Sequence, residues 1–130
     1  MEAANRHADG KPTVLVAEDH ADSRDALSAL LEAFGYRVIV AVNGREAVQK
    51  AKRYGPDIIL MDLMMPELDG FEATRTLRRD PVTRDTPIIA LTALGGARKL
   101  ALDAGVNHFV AKPVDSASLM DMLRLHLEAG

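Results

Sequence analysis

The 130-residue sequence contains no cysteine and no tryptophan, and only 4% of its residues are aromatic. Without cysteine, the chain forms no disulfide, holds no thiolate-bound metal and carries no redox-active thiol pair. Cysteine-free chains are compatible with a reducing compartment, and we expect a cytoplasmic location.

Long apolar runs and an excess of positive charge are also absent. No stretch approaches the roughly 20 apolar residues of a membrane helix, and residues 1–11 lack the apolar segment of a signal peptide. The formal net charge is −3, without the basic stripe that nucleic-acid binding needs. We therefore expect no membrane association and no direct nucleic-acid binding. The four histidines show no metal-ligand spacing, and we interpret them as surface or incidental residues; they are His7, His20, His108 and His126.

The composition is that of one folded domain. Hydrophobic residues make up 48% of the chain and charged residues 27%, so one core can form without disulfides. We expect residues 1–12 to form a flexible N-terminal tail and residues 13–128 to form the domain. There is no internal repeat and no low-complexity tract.

Short apolar runs alternate with amphipathic segments along the domain. The predicted strands are 13–17, 37–42, 57–62, 87–91 and 107–111. The predicted helices are 22–34, 45–54, 70–79, 97–104 and 116–127. Continuously apolar strands that alternate with helices predict an α/β fold, in which helices cover both faces of a parallel sheet.

Two helices carry finer expectations about packing. In the first, Leu27, Leu30, Leu31 and Phe34 share one face that should contact the core. In the last, Met120 and Leu125 lie off the apolar face, and we interpret them as exposed apolar residues rather than as a partner surface. Asp69 and Asp115 precede helices as candidate caps.

Conspicuous polar residues stand at the ends of four predicted strands. They are Glu18, Asp19, Asp62, Thr92, Lys112 and Pro113. Ligands of open α/β sheets bind beyond the carboxyl ends of the strands. If the first and third strands are neighbours, three carboxylates converge, which is unfavourable unless a cation joins them. An acidic site of oxygen ligands suits Mg²⁺, with Mn²⁺ as the second candidate.

Five motifs at these strand ends resemble those of response-regulator receiver domains. The motifs are Glu18-Asp19, Met61-Asp62-Leu63-Met64-Met65-Pro66, Leu68-Asp69-Gly70, Leu91-Thr92-Ala93 and Phe109-Val110-Ala111-Lys112-Pro113. The resemblance runs from Thr13 to Leu127. It implies a flavodoxin-like, doubly wound (βα)5 domain whose five parallel strands lie in the order 2-1-3-4-5.

The resemblance also implies a role for each acidic residue. Asp62 would be the phosphoacceptor, because a carboxylate can act as a nucleophile and form an aspartyl phosphate. Asp19 would bind the metal directly, and Glu18 would act through a metal-bound water. Met64 would contribute only its backbone carbonyl.

Residues from the fourth and fifth strands complete the implied site. Thr92 would donate its hydroxyl to a phosphoryl oxygen, and Lys112 would pair with Asp62 or with the phosphoryl group. The bond before Pro113 is expected to be cis, as is usual in the family. Thr92 and Phe109 would form the switch; since phenylalanine lacks a phenol hydroxyl, packing alone would drive it.

The resemblance thus predicts a signalling module that catalyses only its own phosphorylation and dephosphorylation. A sensor histidine kinase or a histidine phosphotransfer protein would donate the phosphoryl group. A downstream protein target would read the changed surface, and pairing with a second copy is a further expectation. The cognate kinase, the stimulus and the choice between a stand-alone protein and a domain of a larger regulator stay open.

Two other functions compete with this one. A small Mg²⁺-dependent phosphohydrolase with an aspartyl nucleophile commonly has a second aspartate two residues later, where this chain has Met64. A receiver-like adaptor that works without phosphate tends to lose the phosphoacceptor, an acidic partner or the lysine, all of which are present here. Taken singly, Asp62 could be a helix cap and Lys112 a surface lysine; their combination favours the receiver.

The sequence departs from the family pattern in two places. The stretch from Thr92 to Lys112 is about two residues shorter than usual, a change that a loop can absorb. The loss falls near Gly95-Gly96 and puts the usual output surface in question. In addition, the apolar Met64 and Leu94 flank the expected path of the hydrolytic water, which predicts slow loss of phosphate.

Overall fold

The computed structural model describes residues 10–65, 67–93 and 95–129, in which five strands alternate with five helices. The strands are β1 (Thr13–Ala17), β2 (Arg37–Ala41), β3 (Ile58–Asp62), β4 (Ile88–Thr92) and β5 (His108–Ala111). The helices are α1 (Ala21–Ala33), α2 (Gly44–Tyr54), α3 (Gly70–Arg79), α4 (Arg98–Ala104) and α5 (Ser116–Ala129). Every predicted element is confirmed to within two residues at each end. The greater part of the predicted tail, residues 1–9, lies outside the described residues.

All the strands are parallel, and their order is β2-β1-β3-β4-β5, which confirms the predicted fold. Val16 pairs with Leu60 and Ala17 with Met61, so β1 and β3 end side by side. Residues directly after β1 and at the end of β3 are therefore neighbours in space.

Each face of the sheet carries its own apolar cluster. The first cluster includes Leu15, Ile59 and Ile88 from the strands and Ala47, Leu77 and Ala101 from α2, α3 and α4. The second includes Val16, Leu60 and Ile89 from the strands and Leu31, Leu119 and Leu123 from α1 and α5. Burial on both faces explains why the strands are continuously apolar rather than alternating.

Side-chain caps fix the starts of α2 and α3. The Asn43 side chain accepts a hydrogen bond from the backbone N–H of Glu46 (2.8 Å). Asp69 accepts one from the backbone N–H of Glu72 (2.9 Å), as predicted for this residue. Both bonds satisfy N–H groups that a helix leaves unpaired in its first turn. The cap on α3 also fixes the end of the loop that leaves β3.

Two packing expectations were wrong. Phe34 is 61% exposed, because α1 ends at Ala33 and the backbone of Phe34 (φ −91°, ψ 7°) leaves the helical path. Met120 is only 5% exposed and belongs to the second cluster. Leu31 of α1 belongs to the same cluster, and Tyr36 packs against it. Leu125 is 67% exposed, as predicted.

No helix in the described part of the chain has both the length and the apolar character needed to cross a bilayer.

The start of α2 touches the loop that follows β3. A Cβ atom added to Gly44 would lie 1.7 Å from the backbone oxygen of Leu68, and the N–H of Arg45 donates to the carbonyl of Glu67 (3.2 Å). Glu67 and Leu68 both have positive φ angles (48° and 82°), which non-glycine residues seldom adopt. Packing against α2 therefore helps to hold this strained loop in place.

We expect Gly44→Ala to lower the free energy of unfolding by about 2–3 kcal/mol, because the new methyl group meets backbone that cannot rotate away. Urea denaturation measures this change. Gly95→Ala is the matched control, since a Cβ atom there meets nothing within 4 Å, and it should change stability little. Equal losses in both variants would contradict the close approach.

Candidate functional site

The predicted site residues meet at the carboxyl ends of the strands. Glu18 and Asp19 follow β1, Asp62 ends β3, Thr92 ends β4 and Lys112 follows β5. The sheet order places β3 between β1 and β4, with β5 next to β4. Topology alone thus brings residues that are far apart in sequence to one edge.

Lys112 joins the two most buried carboxylates. Its Nζ lies 2.7 Å from Glu18 Oε1 and 3.1 Å from Asp62 Oδ2. The Glu18 and Asp62 side chains are only 4% and 5% exposed, whereas the Lys112 side chain is 26% exposed. One ammonium therefore faces two nearly buried negative charges and reaches the surface between them.

The backbone of Lys112 is fixed beside Thr92. Its N–H donates to the carbonyl of Thr92 (2.9 Å), and the register pairs Thr92 with Ala111. The peptide bond between Lys112 and Pro113 is cis. Thr92 is 1% exposed, so a buried hydroxyl lies on the strand next to Asp62.

The Asp62 carboxylate is held by the loop that follows it. The backbone N–H of Met64 donates to Asp62 Oδ1 (2.9 Å). The backbone of Met64 therefore lies beside the carboxylate. Met64 is 54% exposed, so its side chain does not belong to the core. Leu94, the other residue of the expected water path, lies outside the described residues.

The three ion-paired groups have pKa values shifted in different ways. Burial alone would raise the pKa of Glu18, but hydrogen bonds from Lys112 and from the backbone N–H of His20 outweigh it, so that pKa is lowered. Burial, reinforced by the charge of Glu18, raises the pKa of Asp62 despite the hydrogen bond from Met64. Burial would lower the pKa of Lys112, but its carboxylate partners raise it. Asp62 is thus the carboxylate whose ionisation the fold opposes.

A histidine joins the acidic group. Each of four residues offers one metal-ligating atom within 4.8 Å of the others: Glu18, Asp19, His20 and Asp62. His20 is exposed, as predicted, and it lies beside two of the acids. Its Nδ1 lies 3.3 Å from Glu18 Oε2 and 3.4 Å from Asp19 Oδ1.

The donor set fits a divalent cation. Asp19 Oδ1 is buried and accepts no hydrogen bond from the described residues. Arg24 donates to the backbone carbonyls of Glu18 and Asp19 (3.1 and 3.4 Å) rather than to their carboxylates. A carboxylate oxygen buried without a donor, beside two further acids, is costly unless a cation binds it.

Phe109, the second predicted switch residue, lies on β5. It pairs with Ala90 of β4, is partly buried and packs against the first apolar cluster. The shortening predicted near Gly95-Gly96 would fall in the loop between Thr92 and α4, a helix of only seven residues.

Comparisons with known proteins agree with this geometry. The sequence model of the response regulator receiver domain matches residues 14–124. The response regulator PleD of Caulobacter vibrioides is 41% identical over 113 residues, which are 85% of this chain and 25% of PleD. The histidine-protein kinase BarA of Shigella flexneri is 35% identical over 113 residues, which are 85% of this chain and 12% of BarA. The chain thus spans a quarter or less of the length of these two relatives.

A solved structure has the same fold. The receiver domain of the sensor histidine kinase PA1611 from Pseudomonas aeruginosa, with a magnesium ion in its active-site cleft, superposes with a TM-score of 0.85. The two chains are 40% identical, and the match covers 91% of this chain and 98% of that one. Sequence and fold together show a signalling module of two-component systems: the chain belongs to the response regulator receiver domain family.

Proposed function

We propose that Asp62 accepts a phosphoryl group from a phosphohistidine, carried by a sensor histidine kinase or a histidine phosphotransfer protein. One observation carries this proposal. The Asp62 carboxylate is nearly buried, lies 3.1 Å from the Lys112 ammonium and shares an acidic cluster with Glu18 and Asp19. A lysine and a cation site beside one carboxylate supply positive charge where phosphoryl transfer needs it.

The transfer step forms one bond and breaks one. An oxygen of Asp62 attacks phosphorus, and the O–P bond forms while the N–P bond of the donor breaks. The leaving imidazole nitrogen keeps the electron pair, and the ring departs neutral when its other nitrogen carries a proton. An ionised Asp62 needs no general base.

Residues around Asp62 would meet the charge of the transition state, which spreads over the equatorial phosphoryl oxygens. Lys112 already lies within hydrogen-bond distance of Asp62, so a small movement brings its ammonium to a phosphoryl oxygen. The Thr92 hydroxyl would donate to another of these oxygens.

Asp19, Asp62 and the backbone carbonyl of Met64 would hold Mg²⁺, with Glu18 acting through a water; Mn²⁺ is the second candidate. Two observations support this metal site: the magnesium ion in the PA1611 receiver domain, and the buried Asp19 Oδ1, which accepts no hydrogen bond from the described residues. When bound, the cation neutralises charge on the transferring oxygens.

We further propose that phosphorylation changes the surface through Thr92 and Phe109. Movement of Thr92 towards the phosphoryl group would vacate space beside β5. Phe109, which packs against the first apolar cluster at the edge of the sheet, would turn inward to fill that space. A downstream protein would bind the resulting surface, and pairing with a second copy is a further proposal.

The first test is labelling with a small phosphodonor. Incubation with acetyl phosphate and Mg²⁺ should add one phosphoryl group to the intact mass, and excess EDTA should abolish the addition. Turnover of a generic phosphatase substrate should be negligible. An unmodified mass under all conditions, or sustained turnover, would contradict the proposed function.

A further inference from the structure

We propose that the imidazole of His20 is an additional ligand of the cation bound at this site. It would take the place of one water molecule and shift the selectivity of the site from Mg²⁺ towards transition-metal cations. The inference rests on the proposed function only in requiring that a divalent cation bind among Glu18, Asp19 and Asp62.

The distances around His20 are close to those between ligands of one ion. Neighbouring ligands in an octahedral complex with bonds of about 2.1 Å lie about 3.0 Å apart, and opposite ligands about 4.2 Å apart. His20 Nδ1 lies 3.4 Å from Oδ1 of Asp19, the proposed direct ligand, and all four candidate atoms lie within 4.8 Å of one another. It also lies 3.3 Å from Oε2 of Glu18, which is proposed to act through a water. Movements of a few tenths of an ångström would bring the imidazole nitrogen into a shared coordination shell.

The backbone of His20 is fixed while its ring can adjust. Its N–H donates to Glu18 Oε2 (3.1 Å), and its carbonyl accepts from the N–H of Arg24 at the start of α1 (2.9 Å). His20 is the N-cap of α1, but its side chain makes no capping hydrogen bond. The side chain is 74% exposed, so it can turn towards a cation without disturbing the core.

Ligand chemistry gives this contact a selective effect. Mg²⁺ prefers oxygen ligands and retains water, whereas imidazole suits transition metals. Affinity for nitrogen donors rises from Mn²⁺ through Co²⁺ to Ni²⁺. A nitrogen ligand should therefore add much affinity for Ni²⁺ and Co²⁺ but little for Mg²⁺.

The competing explanation makes the opposite prediction. If His20 served only as a positive partner of Glu18 and Asp19, it would compete with every divalent cation. Its removal would then raise the affinity for Mg²⁺ and Ni²⁺ alike. Binding constants for several metals thus separate a ligand from a counter-ion.

The test compares the wild type with His20→Asn in one buffer at one pH. Asparagine is a favoured N-cap residue, so α1 should form normally. We expect the affinity for Ni²⁺ and Co²⁺ to fall about tenfold, and that for Mg²⁺ to change by less than about twofold. His108→Asn removes another exposed histidine, on β5, and should leave all the affinities unchanged.

Pulsed electron paramagnetic resonance detects a nitrogen ligand of bound Mn²⁺ directly. With less than one equivalent of Mn²⁺, electron spin echo modulation should show a nitrogen bound to the metal in the wild type and in His108→Asn, but not in His20→Asn. A cation that binds the wild type without this nitrogen signal, or metal affinities that change in parallel in His20→Asn, would overturn the inference and leave the phosphoacceptor proposal standing. A wild type that binds no divalent cation at this site would overturn both.

Discussion

Lys112→Met is expected to lose about 2–3 kcal/mol of the free energy of unfolding at neutral pH without metal. The substitution preserves most of the side-chain volume but removes the ammonium that lies within 3.1 Å of both Glu18 and Asp62. Two nearly buried carboxylates would then face each other without a cation, and burial of unpaired charge is among the most costly changes in a protein.

The loss in Lys112→Met should depend on pH and on metal. Because burial raises the pKa of Asp62, this carboxylate takes up a proton early as the pH falls, and the repulsion then disappears. The deficit relative to the wild type should therefore narrow on acidification. Added Mg²⁺ should also narrow the difference in stability from the wild type, because the metal ion replaces the positive charge of the missing ammonium.

Urea denaturation of both proteins, with and without Mg²⁺, measures these differences. Lys99→Met is the matched control, because Lys99 also pairs with a carboxylate at 3.1 Å, that of Asp103, but is 85% exposed. Exposed pairs contribute little to stability, so this variant should differ little from the wild type. Similar losses in the two variants would contradict the importance of the buried charges.

Asp62→Asn is expected to reduce phosphorylation by acetyl phosphate to background, a loss of at least about a hundredfold, because an amide oxygen is a poor nucleophile. The same variant should be more stable than the wild type at neutral pH without metal, by on the order of 1 kcal/mol. Asparagine has nearly the same shape and can still accept the hydrogen bond from the N–H of Met64.

The sign of the stability effect follows from the raised pKa of Asp62. The folded protein binds the Asp62 proton more tightly than the unfolded chain does, so the wild type loses stability as the pH rises between the ordinary and the raised value. The variant has no such proton to lose. Its advantage should therefore appear above this range and vanish below it.

Thermal or urea unfolding between acidic and neutral pH checks this prediction. Asp103→Asn, on the exposed side of α4, provides the control and should show no such gain. Mg²⁺ should reverse the order, because it stabilises the wild type and not the variant that lacks a carboxylate ligand. An Asp62→Asn protein that is less stable than the wild type at neutral pH would contradict the charge balance described for the site.

The fold was predictable because its strongest signals are local. Strands buried on both faces are continuously apolar, and Asp69 and Gly70 mark a helix start that the structure confirms. Contacts between elements were less predictable. The exposure of Phe34 depends on where α1 ends, and the burial of Met120 depends on its packing in the second apolar cluster. Neither follows from the spacing of apolar residues along one helix.

In the candidate site, too, the positions of the residues were predictable and the contacts between their side chains were not. Strand ends indicated that Glu18, Asp62 and Lys112 would meet, because parallel strands carry their carboxyl ends to one edge. The sequence could not indicate that one ammonium would bridge both carboxylates, since that depends on side-chain direction. It also left His20 unassigned, because its contacts arise from the turn between β1 and α1 rather than from any spacing of histidines.

Mapping the labelled residue tests the central claim most directly. After incubation with acetyl phosphate and Mg²⁺, reduction with borohydride converts an aspartyl phosphate into homoserine, which mass spectrometry locates in peptides. We predict conversion at position 62 alone. Conversion at Asp19, or a phosphoryl group retained on another residue such as His20, would contradict the account.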